Sequence, residues 1–86
     1  MQLNFTDTAL KDLKKLNKIT QKQIVKKLQF YLEQPDPLAY ATRLTNFSKG
    51  GDYRFRIGDY RAVFDVETDT ISILYIEHRR EVYRRN

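Results

Sequence analysis

The 86-residue sequence contains no cysteine and no tryptophan, and it has only one histidine, His78. The absence of cysteine excludes a disulfide framework, and a single histidine leaves almost nothing from which to build a zinc or iron–sulfur site. Three glycines and two prolines are too few for a fibrous or a disordered chain. We therefore expect a folded protein that uses no metal and no cofactor.

Long apolar runs are also missing. The longest, residues 71–76, is interrupted by Ser72 and is far shorter than a bilayer span. The first seven residues lack the basic and apolar regions of a signal peptide. A chain of this length lies near the lower limit at which a hydrophobic core is stable without disulfides or a bound metal. We expect one domain over residues 1–86, soluble and cytoplasmic.

Positive charge exceeds negative charge, because sixteen Lys and Arg stand against eleven Asp and Glu, a net charge of +5. The excess favours a polyanion, most commonly nucleic acid, and equally suits an acidic protein partner. Seven of the eight lysines lie at or before Lys27, whereas all eight arginines lie at or after Arg43. Because the guanidinium fork matches phosphate oxygens, we expect the C-terminal half to bind the anion.

The N-terminal half has the periodicity of a strand followed by a helix. Residues 2–5 alternate and predict a short first strand. Thr6 or Asp7 is the expected cap of a helix, whose solvent face takes Asp12 together with the neighbouring lysines. The apolar positions of this helix are spaced three to four apart: Ala9, Leu10, Leu13 and Leu16.

A second helix is predicted after residues 17–18, with Thr20 as its cap. Its end is predicted at Gln34, because proline at position 35 disfavours a helical conformation in the residue before it. Residues 38–52 read as a loop. The apolar stripe of the second helix comprises Ile24, Val25, Leu28, Tyr31 and Leu32.

From Tyr53 onward the period changes to two and predicts three strands. Gly58 and Asp59 form the first turn, residues 67–69 form the second, and the last strand runs over residues 70–77. The predicted fold class is α+β. An N-terminal strand and an antiparallel helical hairpin precede an antiparallel β-meander that packs on the helices, in the order βααβββ with a short C-terminal tail.

The outer face of this meander collects arginines. If the residues that alternate with them face the core, Arg54 and Arg56 point outward, and so does Arg61 on the next strand. Residues on one face of neighbouring strands lie about 5 Å apart or somewhat more, so the three guanidinium groups converge. Residues 78–80 can close this surface from the side. The surface is either a phosphodiester site or a solvated face neutralised by Asp59, Asp65 and Glu77.

The strings YRFRIGDYRAVF at residues 53–64 and IEHRREVY at residues 76–83 resemble the central hairpin and the C-terminal signature of RelE-type toxins. Through these two segments the chain resembles the RelE/ParE superfamily of toxins from toxin–antitoxin systems. The rest of the chain also fits this superfamily, with its opening strand, its helical hairpin and Arg43-Leu44 ahead of the sheet. The RelE branch comprises endoribonucleases that cut mRNA in the ribosomal A site, whereas the ParE branch poisons DNA gyrase on the same fold.

The resemblance implies a set of catalytic residues. Arg61 matches the arginine that stabilises the transition state, Arg79 matches a second catalytic arginine, and Tyr83 matches a tyrosine that stacks on or helps activate the substrate nucleotide. The best-studied members carry lysines where this chain has Arg54 and Arg56. Arginine does not lose its proton in proteins, so neither can be a general base.

Proton transfer must therefore fall on another residue. His78 is the first candidate, because its unperturbed pKa near 6.5 suits both acid and base roles and because several relatives carry a histidine at this place. Alternatively, His78 merely ends a strand. Glu77, Glu81 and Tyr83 are the other candidates.

The reaction that the resemblance implies is metal-free attack of the ribose 2′-OH on the adjacent phosphorus of mRNA, with the ribosome and a cognate antitoxin as partners. The antitoxin is expected to supply an acidic and apolar segment that folds on binding. Two alternatives remain, a gyrase inhibitor without nuclease activity and a degenerate toxin that only binds an antitoxin. The expected substrate-binding residues are Arg43, Lys49, Arg54, Arg56 and Arg80.

Overall fold

A computed structural model describes residues 1–45 and 50–80 of the chain. These residues form β1 (Gln2–Phe5), α1 (Asp7–Lys14), α2 (Lys18–Glu33), a 3₁₀ helix (Pro37–Tyr40), β2 (Thr42–Arg43), β3 (Tyr53–Ile57), β4 (Tyr60–Glu67) and β5 (Thr70–His78). The strands make one sheet in the order β1-β5-β4-β3-β2, in which β1 is parallel to β5 and all other neighbours are antiparallel. The predicted α+β fold is confirmed.

α1 is attached to the edge of β5. The Thr6 hydroxyl caps the helix by accepting the N–H of Ala9 at 3.1 Å, as predicted. Among the described strands, β1 pairs only with the first half of β5. Residues of α1 and its cap make hydrogen bonds to the second half of that edge. Thr6 donates to the carbonyl of Leu74 at 2.8 Å, and the Asp12 carboxylate accepts the N–H of Ile76 at 3.0 Å. The prediction that Asp12 faces solvent is wrong, because an unpaired strand N–H needs an acceptor.

α2 begins about one turn earlier than predicted. Asn17 is the cap, and its Oδ1 accepts the N–H of Thr20 at 2.8 Å, so Thr20 lies inside the helix. Asparagine caps helices as well as any residue, which explains the earlier start. The helix ends at Glu33, before Gln34 and Pro35, as predicted. Neither helix of the described residues has the length and apolar character that crossing a bilayer requires.

The stretch predicted as a loop, residues 38–52, contains short regular elements within its described part. The 3₁₀ helix overlaps its start, and β2 pairs with Tyr53 and Arg54 at the beginning of β3. The N–H of Leu44 donates to the carbonyl of Asp52 at 2.9 Å and continues this pairing. The two residues of β2 are too few to show an alternation, so this strand is recognised only by its pairing with β3.

An aromatic column runs through the core and attaches the sheet to α2. Its rings follow in the order Tyr40, Tyr31, Phe55, Phe64 and Tyr53, with neighbouring centroids 5.2, 4.6, 4.5 and 5.5 Å apart. The two phenylalanines are fully buried. Replacing a buried Phe by Ala typically costs about 3–5 kcal/mol. The column therefore holds β3 and β4, which carry three of the predicted arginines, at a defined position.

β5 contains a bulge in its middle. Val63 of β4 pairs with Tyr75, but the next residue, Phe64, pairs with Ile73, so Leu74 is an extra residue in β5. The alternation of side chains changes phase at this point. The last four residues of β5 therefore lie on the faces opposite to those that unbroken alternation from the start of the strand assigns to them.

Candidate active site

The β3–β4 hairpin places two arginines directly opposite each other. Gly58 and Asp59 form its two-residue turn, in which Gly58 has a φ of +60°, a conformation that glycine adopts without strain. The turn sets the register, and in this register Arg56 pairs with Arg61. Both lie on the face away from the helices, because the residues that alternate with them belong to the core. We call this outer surface, with Arg54, the arginine face.

Arg54 shows the electrostatic cost of this arrangement. It lies two residues before Arg56 on the same strand and is half-buried. The pKa of Arg54 is lowered, first by burial and then by the positive charges of Arg61 and Arg56. Its Nε atom makes no hydrogen bond within the described residues. A guanidinium keeps its charge under such conditions, so an anion bound here would relieve both the repulsion and the unmet donor.

Arg79 joins two of these arginines around a small cavity, the arginine cavity. Its volume is about 130 Å³, which corresponds to roughly four water molecules. Such a space suits one compact anionic group, for example a phosphodiester. The cavity is lined by Arg56, Gly58, Asp59, Tyr60, Arg61 and Arg79.

Asp59 holds Arg79 at this cavity. Its backbone carbonyl accepts the N–H of Arg79 at 2.7 Å, and its carboxylate lies 3.6 Å from the Arg79 guanidinium. From the sequence, Asp59 is predicted only as a turn residue and a neutralising charge. Its role in positioning Arg79 follows from the pairing of Tyr60 with His78, which brings the residue before Tyr60 beside the residue after His78.

The acidic residues of this region offset the arginines only in part. Glu77 lies directly opposite Arg61 on β5 and is 6% exposed. Asp59 is paired with Arg79. Asp65, the third expected neutralising residue, instead accepts the N–H of Asp52 at 2.8 Å. Within the described part of the chain, two carboxylates thus accompany four guanidinium groups around the arginine face and its cavity.

His78 does not lie on the arginine face. It pairs with Tyr60, and the two rings meet edge to face with centroids 5.0 Å apart, on the side of the sheet that bears the core. The expectation that His78 closes the arginine surface is wrong, because the bulge at Leu74 reverses the faces of the residues that follow it. The Nδ1 atom of His78 accepts the N–H of Arg80 at 3.1 Å.

The remaining predicted residues are distributed elsewhere. Arg43 pairs with Tyr53, whose ring stacks on Phe64 in the core, so Arg43 lies on the helix side of the sheet and not with Arg54. Arg80 is exposed directly after β5. Three predicted residues lie outside the described residues: Lys49, Glu81 and Tyr83.

Comparisons with known proteins give one family and one fold. Residues 3–83 match the family described as ParE toxin of type II toxin-antitoxin system, parDE. The toxin–antitoxin complex RelBE2 from Mycobacterium tuberculosis contains a similar chain, with 29% identity, a TM-score of 0.72, and coverage of 91% of this chain and 96% of that one. The RelB–RelE complex from Methanococcus jannaschii is similar at 26% identity and a TM-score of 0.66, covering 93% and 94%.

The isolated RelE toxin of E. coli shares the fold, with a TM-score of 0.68 at 24% identity and coverage of 98% of this chain and 96% of that one. No curated protein matches the sequence significantly.

Proposed function

We propose an activity for this chain from one premise: it belongs to the ParE toxin family of type II toxin–antitoxin systems, within the RelE/ParE superfamily. The proposed activity is that of an endoribonuclease that cleaves mRNA on the ribosome without a metal ion. One observation carries the proposal. Arg56 and Arg61 are held opposite each other and share a cavity with Arg79. The three positive charges repel one another in the free protein, and a bound phosphodiester would offset that repulsion.

The proposed reaction is an internal transfer at phosphorus. The ribose 2′-oxygen attacks the adjacent phosphorus and loses its proton, and the bond from phosphorus to the 5′-oxygen breaks as that oxygen gains a proton. The products are a 2′,3′-cyclic phosphate and a 5′-hydroxyl. Negative charge grows on the non-bridging oxygens during the attack. Arg61 and Arg79 are the proposed donors to those oxygens, and preorganised donors of this kind are usually the largest single contribution to catalysis.

The other arginines of the outer surface have a binding role in this proposal. Arg56 contacts the scissile phosphate from the side opposite Arg61, and Arg54 binds the neighbouring phosphate along the strand. Lys49 and Arg80 remain proposed contacts to the RNA backbone, and Tyr83 remains the proposed stacking partner of the substrate nucleotide. Arg43 is a weaker candidate, because it lies on the other side of the sheet.

Proton transfer is assigned by position. Of the candidates within the described residues, Glu77 lies on the arginine face opposite Arg61, whereas His78 lies on the core side. We therefore place Glu77 ahead of His78 as the proposed acceptor of the 2′-OH proton. Glu81 and Tyr83 are retained as further candidates.

An antitoxin is the proposed protein partner. The RelBE2 structure and the Methanococcus jannaschii structure are both complexes of toxin with antitoxin. For this chain we propose an antitoxin segment that folds on binding, with carboxylates directed at the arginine face and apolar residues that supply affinity.

A second candidate function is inhibition of DNA gyrase, and the match to the ParE family favours it. Induction of the toxin in cells, followed by mapping of RNA 5′ ends, tests the first function. A supercoiling assay with purified gyrase tests the second. New 5′-hydroxyl ends with unaffected supercoiling support the nuclease. Blocked supercoiling without new ends supports the gyrase inhibitor, and neither effect would indicate a degenerate toxin that only binds an antitoxin.

A further inference from the structure

A second cavity adjoins the arginine cavity, between α2 and the turn of the β3–β4 hairpin. It is an open groove of about 490 Å³, a volume typical of ligand-binding sites. Arg56 and Gly58 line both cavities, so the two spaces meet at the end of β3. We call it the α2 groove. Its most informative lining residues are Lys26, Lys27, Phe30, Arg56 and Ile57.

Phe30 provides the groove with an aromatic surface. It is 45% exposed. The Nζ atom of Lys27 lies 5.0 Å from the centroid of this ring. Tyr31 contacts the ring edge to face at a centroid distance of 6.0 Å and thereby limits its motion. A partly exposed, supported ring with a cation beside it is suited to stacking a flat, electron-rich group.

The charge of the groove selects the class of ligand. Lys26, Lys27 and Arg56 line the groove, and none of the described residues that line it is acidic. Proteins that bind single-stranded nucleic acid combine cations that follow the backbone with aromatic rings on which bases stack. The groove therefore complements a nucleotide better than a neutral or cationic ligand.

We infer that the α2 groove binds a nucleotide of single-stranded RNA next to the scissile phosphate, with its base on Phe30 and its phosphate between Lys26, Lys27 and Arg56. This inference rests on the proposed nuclease function, because it takes the arginine cavity as the place of the scissile phosphate. Arg56 then contacts two successive phosphates. The groove would extend the recognised RNA by one nucleotide beyond the cleavage site.

The absence of tryptophan allows a direct optical test. In a Phe30→Trp variant the only indole lies in the groove, and a stacked base quenches its fluorescence. The probe is a short single-stranded RNA with 2′-O-methyl riboses, which cannot undergo the attack. The matched control is Tyr40→Trp, since Tyr40 is 47% exposed and contacts Phe30 from outside the groove. We expect saturable quenching of the first variant and little quenching of the second.

Affinity measurements provide the second readout. Phe30→Ala should weaken binding of the same RNA roughly 5- to 100-fold, the effect of losing one stacked base, whereas Tyr40→Ala should leave it nearly unchanged. A duplex of the same sequence should bind both variants equally. Circular dichroism verifies that each variant is folded. If Phe30→Ala does not fold, the fluorescence titration of Phe30→Trp still decides the question.

The outcomes separate the groove from the nuclease. Quenching and the Phe30 affinity loss in a protein that cleaves no RNA would retain the groove as an RNA site and overturn the proposed function. Cleavage with unquenched Phe30→Trp, or with equal affinities of the two alanine variants, would overturn the groove and retain the nuclease. Quenching by an acidic peptide but not by RNA would identify the groove as a protein-binding site and overturn the inference.

Discussion

Arg56 and Arg61 are opposed across two neighbouring strands, and like charges at directly opposed positions destabilise a sheet. Glu77 lies on the other side of Arg61, at the paired position of β5. The pair therefore contributes little to folding. Its position at the arginine cavity gives it a role in binding an anion.

Arg61→Ala should abolish most of the RNA cleavage while leaving the fold intact. Losing one preorganised donor typically lowers a rate by about 10²- to 10³-fold. The free energy of unfolding should change by less than about 1 kcal/mol, because Arg61 lies on the outer face, away from the core, and the substitution removes its repulsion with Arg56. Single-turnover cleavage and urea unfolding measure the two effects.

Lys14→Ala is the control, since it removes one positive charge from an exposed position of α1 that does not line the arginine cavity. It should cleave RNA at nearly the rate of the unmodified protein. Equal rates for Arg61→Ala and the unmodified chain would contradict the assignment of the arginine cavity.

His78 can act through its ring nitrogen in two ways that substitution distinguishes. In the first, Nδ1 of His78 accepts the N–H of Arg80 and thereby also positions the adjacent Arg79. The necessary feature of the side chain is then a hydrogen-bond acceptor at the place of Nδ1. His78→Ala should then slow cleavage, and His78→Asn should recover most of the rate, because the Asn oxygen occupies a place close to Nδ1. We expect this result in single-turnover measurements.

A proton-transfer role predicts a different pattern. Both variants would then lose about 10²- to 10⁴-fold in rate, since an amide does not titrate near neutral pH. The dependence of the rate on pH would also lose its transition near neutrality. Either finding would indicate that His78 acts as a general acid or base.

At the scale of single elements, α1 has a structural task that its amphipathic pattern does not reveal. It covers the edge of β5 where β1 no longer pairs with it, and it does so through the hydroxyl of Thr6 and the carboxylate of Asp12. These contacts hold the bulge and the strand end that leads to Arg79. The helix thus supports the site without touching it.

Asp12→Ala should lower the free energy of unfolding by about 1–3 kcal/mol, because the partly buried N–H of Ile76 loses its acceptor. Lys11→Ala, at the exposed neighbouring position of the same helix, should change it by less than about 0.5 kcal/mol. Chemical denaturation of both variants measures the difference. Equal stabilities would show that water replaces the carboxylate at no cost.

At the scale of the whole molecule, the two kinds of basic residue occupy two surfaces that meet at one side chain. Arg54, Arg56 and Arg61 occupy the outer face of the sheet, and Lys26 and Lys27 of α2 line the groove beside it. Arg56 lies at the junction and lines both cavities. An extended polyanion can therefore follow a continuous positive path from the arginine cavity to α2.

The antitoxin should bind across the arginine face. We expect hydrogen exchange of the β3 and β4 amides to slow in the complex, because the described residues pair the outer edge of β3 only at Tyr53 and Arg54, by β2. Raising the salt concentration should weaken the complex, since exposed charges are screened. Exchange measured on the free and bound toxin tests this prediction.

Two results would revise it. Faster exchange in residues 81–86 on binding, with unchanged β3 and β4, would indicate that the antitoxin displaces the C-terminal tail that carries Tyr83. The absence of a tight complex with any co-expressed acidic partner would contradict an antitoxin for this chain.

The sequence by itself determined the elements and most of their faces. Alternation in residues 53–61 placed Arg54, Arg56 and Arg61 on the outer face, because the pleat of a strand imposes a period of two regardless of context. The glycine of the Gly58-Asp59 pair predicted the turn that sets their register. The resemblance to the toxin superfamily added catalytic and binding roles for those arginines, and the alternation pattern by itself does not indicate such roles.

Only the tertiary structure decided the other side of the site. β5 has its bulge at Leu74, where Thr6, the cap of α1, donates to the Leu74 carbonyl across 68 positions of sequence. One extra residue reverses every later face of the strand, so Glu77 lies beside the arginines and His78 lies against Tyr60. A periodic pattern read along one strand cannot contain this phase change, because the change lies in how β5 pairs with β4.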